Sequence, residues 1–374
     1  MKIVYFSTCF LVVVPILLIS GVSAEDSTQW KLPDGAIARL GKGSIYDVKY
    51  FRDGSRFAVA SSIGIWIHDT RTGEELALLN AHKSYIYSLA SSPDGDMFTS
   101  GDSNGRIFLW DAHTGQHKRV LIGHTNGVTS LAFSPDGKTL ASVSYDWDAR
   151  TGLHLRSWRA GNPRPYVKYS PEGDTLAFSG RNNSIFLADL KTGEIKKTLV
   201  GPIAEAKAVR DEVTSIAHSS DGNLLAGGSS DNAVYIWDTQ TGQLVHTLIG
   251  HTDHVFSITF SPDGKTIASS SGLNDRTIRL WDPHTGKLLR TITSDTIRIY
   301  ALAFSPDGKT LASTHSNATV GLWDPHRGEL LTTFSGHTSS VGGIAYSPDG
   351  KVLASSSRDG TILLWDLTAL ALNQ

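Results

Sequence analysis

The sequence predicts an all-β protein, a β-propeller: a closed ring of four-stranded sheets. Three observations predict it. One phrase returns eight times along the 374 residues. Its fullest copies read VFSITFSPDGKTIASSSGLNDRTIRLWDPHTGKLLRTI from Val255, IYALAFSPDGKTLASTHSNATVGLWDPHRGELLTTF from Ile299 and VGGIAYSPDGKVLASSSRDGTILLWDL from Val341. The period is near 40: Trp281, Trp323 and Trp365, each followed by Asp, lie 42 residues apart, a spacing that suits one blade per repeat. Each copy also reads as short strands joined by turns. One blade cannot bury both faces of its sheet, whereas stacked neighbours can, so the repeats close into a ring.

The sixth repeat shows the pattern most fully. Val255, Ser257 and Thr259 alternate with Phe256, Ile258 and Phe260, as the two faces of a strand do. Ser261-Pro262-Asp263-Gly264 follows, where Pro presets φ and Gly accepts a positive φ. Residues 265–269 make the return strand and 276–282 a third. His284-Thr285-Gly286 forms the next turn, and 287–292 supplies the fourth strand.

Residues 1–24 read as a secretory signal peptide. Lys2 precedes a mostly apolar run over 3–19, and Val22-Ser23-Ala24 offers small residues at a cleavage site. A membrane anchor is the rival reading, because the run is near the minimum spanning length. Pro15 and the small residues favour cleavage, after which no stable membrane insertion is expected. The single cysteine, Cys9, lies inside this segment. A chain exported without disulfides suits a periplasmic or bacterial extracellular setting. Losing Lys2 would move the net charge from −2 to −3, so no basic footprint argues for nucleic acid.

Residues 25–35 form an N-terminal linker, and 36–367 the propeller. Ala36-Ile37-Ala38-Arg39-Leu40-Gly41 aligns with the fourth-strand phrase at 330–336, while the last repeat stops after its third strand at Leu367. The N-terminal strand is therefore expected to complete the last blade and remove an exposed edge. Residues 368–374 are a tail. This count gives eight blades, with seven possible if the damaged third repeat merges with the fourth.

The repeats degrade unevenly. The first has His68-Asp69 and the fourth Ala188-Asp189 where Trp-Asp is expected. An extra segment over 202–212 precedes the fifth repeat. In the third, Asp146 and Trp147 are adjacent, where five residues separate Asp359 from Trp365. That predicts a truncated blade lacking most of its third strand, or a lost piece of sequence.

GH, SPDGKTLAS, a polar turn and WD, recurring in phase over 36–367, resemble the WD-repeat β-propeller family. The resemblance implies blades of strands a to d around a central channel. It also implies a role in protein–protein interaction, rarely catalysis. It further implies a buried His–Ser–Asp–Trp chain in each intact blade. The matching residues are His251, Ser269, Asp275 and Trp281 in the sixth, and His337, Ser355, Asp359 and Trp365 in the eighth. The second offers His82, Ser100, Asn104 and Trp110, and the third His124, Ser142, Asp146 and Trp147. A hydrolase reading of Ser-His-Asp is weak, because the set recurs whereas a catalytic site would be unique. G-x-S-x-G at Gly101–Gly105 lacks the strand–turn–helix setting that motif requires.

In the family, residues flanking the first apolar position of strand a lie near the mouth of the channel. The residue after that position reads Tyr46, Tyr87, Thr129, Lys168, Thr214, Phe256, Tyr300 and Gly342 in repeats one to eight. Tyr85, Tyr166, His254 and Arg298 stand just before it. Aromatic residues and Arg commonly anchor interfaces, so Tyr46, Tyr85, Tyr87, His254, Phe256, Arg298 and Tyr300 are the candidate partner-binding face. Packing between blades is the competing explanation. The expectation is thus an exported, monomeric, non-catalytic scaffold for protein partners, with no catalytic, cofactor or metal residues assigned. Alternatives are an exported propeller enzyme of quinone-dependent dehydrogenase or lactonase type, or a wall- or polymer-binding module.

Overall fold

Each repeat folds as four antiparallel strands in sequence order, a to d. The computed structural model describes residues 32–40, 44–142, 145–158, 166–180, 182–201, 212–296 and 298–368. The signal-peptide expectation and most of the 202–212 segment lie outside them. Blades 1 to 7 span 45–79, 86–122, 131–157, 167–200, 213–248, 255–293 and 299–335. Blade 8 takes three strands from 341–366 and its outer strand from Ala36–Leu40, which pairs antiparallel with Ile362–Asp366. The eight-blade count and the N-terminal closure are therefore both present. Among the described residues there is no helix.

Strand a of each blade packs on strand a of the next, and that of blade 8 packs on blade 1. These strands are innermost and bound the channel. The core lies between blades. Ile65 and Ile67 of blade 1 pack with Ile86, Leu89, Phe98 and Trp110 of blade 2. Val48, Phe57 and Trp66, also of blade 1, pack with Ile362 and Leu364 of blade 8 and with Ala38. Each full burial of a large apolar side chain stabilises by roughly 1.5–3 kcal/mol, and none is available to a blade alone.

The turns explain which motif residues persist. Ser261 Oγ donates to Asp263 Oδ1 at 2.6 Å and accepts from Thr266 N at 3.0 Å, locking the a–b turn. The Asp of Trp-Asp closes the c–d turn: Asp282 Oδ1 accepts from His284 N at 2.8 Å and Thr285 N at 3.2 Å. Asp69 and Asp189 do the same in blades without the Trp. The Asp thus serves the turn whether or not the Trp is present.

Two sequence expectations are corrected. The even alternation along strand a is broken by a β-bulge. In blade 6 the register shifts between Val255 and Ser257. Val255, Ile258 and Phe260 are all buried, while Phe256 is left over the bulge. Blades 1, 2, 5, 7 and 8 shift at the same place. The third blade is not a three-stranded remnant. Thr139–Ser142 pairs with Tyr145–Asp148, which pairs with His154–Ser157. Leu140 faces Trp147 as Leu353 faces Trp365. The five missing residues come from the tip of the b–c hairpin, so the outer rungs survive.

Candidate functional site

The tetrads sit where the loop before strand a meets the b–c turn. In blade 6, Trp281 Nε1 donates to Ser269 Oγ at 2.8 Å, and His251 spans Ser269 Oγ at 2.8 Å and Asp275 Oδ2 at 3.1 Å. In blade 8, Trp365, Ser355, His337 and Asp359 repeat this at 2.8, 2.9 and 3.2 Å. An indole N–H only donates, so Ser Oγ accepts from Trp and gives its own proton to His Nε2. His Nδ1–H is then left to donate to the carboxylate. Ser100, Ser269 and Ser355 are fully buried, out of reach of any substrate. The carboxylate also accepts the backbone N–H of Thr252 or Thr338 from the entering loop. Burial opposes ionisation of Asp275, but its hydrogen bonds from His251, Thr277 and Thr252 prevail and hold it at about 2. Asp359 and Asp102 are lowered in the same way.

In blade 2 the acid is Asp102, and the expectation for Asn104 is corrected. His82 Nδ1 lies 3.0 Å from Asp102 Oδ2, and its Nε2 lies 2.6 Å from Ser100 Oγ, which accepts from Trp110 at 2.8 Å. Asp102 Oδ1 accepts from the N–H groups of Asn104 and Arg106, both at 2.9 Å. Asn104 therefore caps the turn through its backbone. An ionised carboxylate two residues upstream, able to serve both turn and imidazole, was the signal available in the sequence.

Blade 3 keeps half its chain. His124 Nε2 and Trp147 Nε1 meet Ser142 Oγ at 2.8 and 2.7 Å. Asp146 instead pairs with Arg156 at 3.3 Å and accepts from Tyr169 at 3.1 Å. Blade 7 has a network the sequence reading missed. His315, two residues after Ser313 on the same strand, bridges Ser313 Oγ at 2.8 Å and Thr319 Oγ1 at 2.9 Å, while Trp323 donates to Ser313 at 2.7 Å. In blade 5 Gly227 replaces the serine, and Trp237 Nε1 has no partner among the described residues.

The rim that these tetrads brace carries the aromatic candidates. Tyr46, Tyr87, Phe256 and Tyr300 all occupy bulges, which turn a side chain out of the strand's alternation. They form two groups. Tyr46 lies 5.5 Å from Tyr87 and 5.8 Å from Tyr85, centroid to centroid. Phe256 lies 6.1 Å from Tyr300. A Cβ on Gly272 would stand 2.4 Å from the Phe256 ring and 3.2 Å from the Arg298 stem, so both side chains lie over that turn's bare backbone. Tyr85 and Tyr46 are 52% and 40% exposed. His254 is also exposed and Arg298 partly so. Between the two groups stands Gly342, with nothing within 4 Å of where its Cβ would be. The rim thus has two aromatic knobs and an open notch at blade 8.

Lys168 and Tyr166 do not belong to this rim. Val167 faces Phe178 in the register where Ile258 faces Ser269. Val167 is thus the counterpart of Ile258, three residues along from Val255, and Lys168 lies deeper, level with Thr259. Among the described residues, no three His, Cys, Asp or Glu side chains are placed to hold a metal ion.

A closed ring of four-stranded blades braced by His–Ser–Trp networks defines a propeller of the Trp-Asp type. The "WD domain, G-beta repeat" family matches residues 73–111, 115–150, 242–282, 286–324 and 328–366, just over half of the chain. The chain belongs to the WD-repeat family. Residues 167–260 also match the "Anaphase-promoting complex subunit 4 WD40 domain". Two relatives are homologues of intraflagellar transport protein 122. The Xenopus tropicalis protein is 32% identical over 66 residues and the Danio rerio protein 34% over 65. These matches cover 18% and 17% of this chain, and the chain spans only 6% of either relative's length. The crystal structure of the computationally designed Ika8 protein superposes with a TM-score of 0.77 at 24% identity. It covers 89% of this chain and 99% of the designed one, a likeness of fold alone.

Proposed function

We propose that this chain is an exported, non-catalytic scaffold that seats a protein partner on the rim bearing Tyr46, Tyr85, Tyr87, Phe256 and Tyr300. The observation that carries the reading is the placement of Tyr46, Tyr87, Phe256 and Tyr300 on bulges at one rim beside an open notch, with Tyr46 and Tyr85 exposed there. A ring buried in the core gains nothing from that exposure, whereas an interface anchor needs it. The tetrads tie the loop carrying Tyr85 to the b–c turn, so its anchor is held before binding and little ordering entropy is lost on docking. Export rests on the apolar run at 3–19 and the small residues ending at Ala24.

A photo-crosslinking residue placed at 85, with a control at the outer-strand position Leu76, tests the rim in the native host fraction. A discrete adduct at 85 and none at 76 is expected. Equal labelling at both positions, or none, overturns the rim reading. N-terminal sequencing tests export separately: the mature protein should begin at Glu25, and an intact start in the membrane fraction overturns cleavage.

A further inference from the structure

The channel contains a second feature, unconnected with the rim. Strand a of blade 6 places Thr259 opposite Ala268. The same register in blades 1 and 4 holds Lys49 opposite Ala58 and Lys168 opposite Ala177. The other five blades hold alanine there. One level of the channel is therefore lined by methyl groups, one threonine and two ammonium groups. Lys168, Ala217 and Thr259 bound a cavity of about 600 Å³, walled by strand a of blades 4 to 7. We propose that this level of the channel, built on Lys168 and Lys49, binds a small free phosphate-type oxyanion.

Charge is the first argument. Lys168 has no ion-pair or hydrogen-bond partner among the described residues. The carboxylate nearest Lys49 is Asp47, at 3.8 Å. Asp47 is already committed: it accepts the N–H of Val48 and of Leu89 on the neighbouring blade, both at 2.9 Å. Two lysines and one carboxylate leave an excess positive charge on the open channel wall, where both lysines are solvent-exposed. Desolvation lowers the Lys168 pKa, Lys49 lowers it further, and Asp47 only partly opposes them. An anion in the channel is attracted by both ammonium charges, most strongly at low ionic strength. The lysines belong to blades 1 and 4, and Lys168 is the one that lines the cavity.

The second argument is an orphaned donor. His218 lines the same cavity, and neither ring nitrogen has a partner among the described residues. Its neutral imidazole carries one N–H for an anionic oxygen. Ser215 and Thr259 add hydroxyls on the same wall. Ser215 Oγ accepts from Ile258 N at 3.3 Å, which leaves its proton free to donate. Ammonium, hydroxyl and imidazole donors on one wall match an oxyanion better than an apolar ligand.

The test is calorimetric titration of the purified chain with inorganic phosphate at constant ionic strength, chloride replacing phosphate in the control. Saturable binding of one phosphate per chain is expected. K168M and K49M should each weaken it by about tenfold or more, the scale of one charge-assisted contact, and K265M in an exposed turn should not. The thermal midpoint of K168M without phosphate should be no lower than that of the parent, because an uncompensated charge has been removed. If K168M fails to fold, K49M carries the comparison. No saturable heat with the parent overturns the site, as does unchanged affinity in the lysine variants.

Discussion

Trp147 Nε1 donates to Ser142 Oγ over 2.7 Å across a hairpin five residues shorter than the one joining Ser355 to Trp365. The bond survives because both partners lie at the outer end of that hairpin, beyond the deletion. Trp147 and Trp365 are 3% and 0% exposed. Trp147→Ala and Trp365→Ala should therefore cost similar amounts, about 3–5 kcal/mol each, in denaturant unfolding. A loss below about 1 kcal/mol at Trp147 would show that blade 3 is not assembled in this way.

Asp102 and Asn104 give a sharper comparison, because they are two residues apart and only one holds the imidazole. Asp102→Ala strips His82 Nδ1–H and two turn N–H groups of their acceptor and should cost about 2–4 kcal/mol. Asn104→Ala keeps every backbone bond and should cost under about 1 kcal/mol. Chemical denaturation of the two variants checks the assignment, and the reverse order would restore Asn104.

Closure can be tested by deleting residues 36–40. This removes the partner of Ile362–Asp366, the buried Ala38, and the Arg39 Nη2 bond to Gly336 O at 2.7 Å. The lost burial and strand hydrogen bonds together amount to at least about 3 kcal/mol, and the bared edge should promote aggregation. Light scattering and thermal unfolding measure both effects. A deletion variant indistinguishable from the parent would mean that the ring closes without this strand.

Acid should loosen the ring in two stages. Burial lowers His124, His218 and His315 to about 4 from an ordinary value near 6.5. Each is neutral when folded and takes up a proton more readily when unfolded. Their contribution is complete above about pH 6.5 and is lost as the pH falls toward 4, at up to about 1.4 kcal/mol per pH unit per histidine. Asp275, held at about 2, keeps its contribution above the ordinary carboxylate range and loses it as the pH falls through that range toward 2. His218→Phe, which restores the residue type of Phe260 and Phe304, should flatten the first stage. Thermal midpoints from pH 7 to pH 4 check this, and an unchanged slope would sink it.

Much of this was legible in the sequence. The repeated SPDG turns, the Trp-Asp spacing and the orphan strand at Ala36–Leu40 pointed to eight blades, with seven left open, and to the closure, because each encodes a local backbone requirement. The tetrads of blades 6 and 8 were legible for the same reason. The bulge was not: it inserts one residue without changing composition, and only the simultaneous burial of Val255 and Ile258 betrays it. Lys168 was misplaced for another reason: strand a of blade 4 begins at Val167, only three residues before its turn, where Val255 lies six before its own. His315 was invisible because it reaches the same serine from another point on the chain.

Ala36 stands opposite Trp365, and Leu40 opposite Ile362. The flanks of the two strands therefore leave the blade from the same end. Tension between them would part the rungs one after another, as a zip opens, and would not shear them all at once. The ring is thus mechanically weakest where it is topologically sealed. A pull on the ends should open blade 8 at low force and leave the seven continuous blades intact.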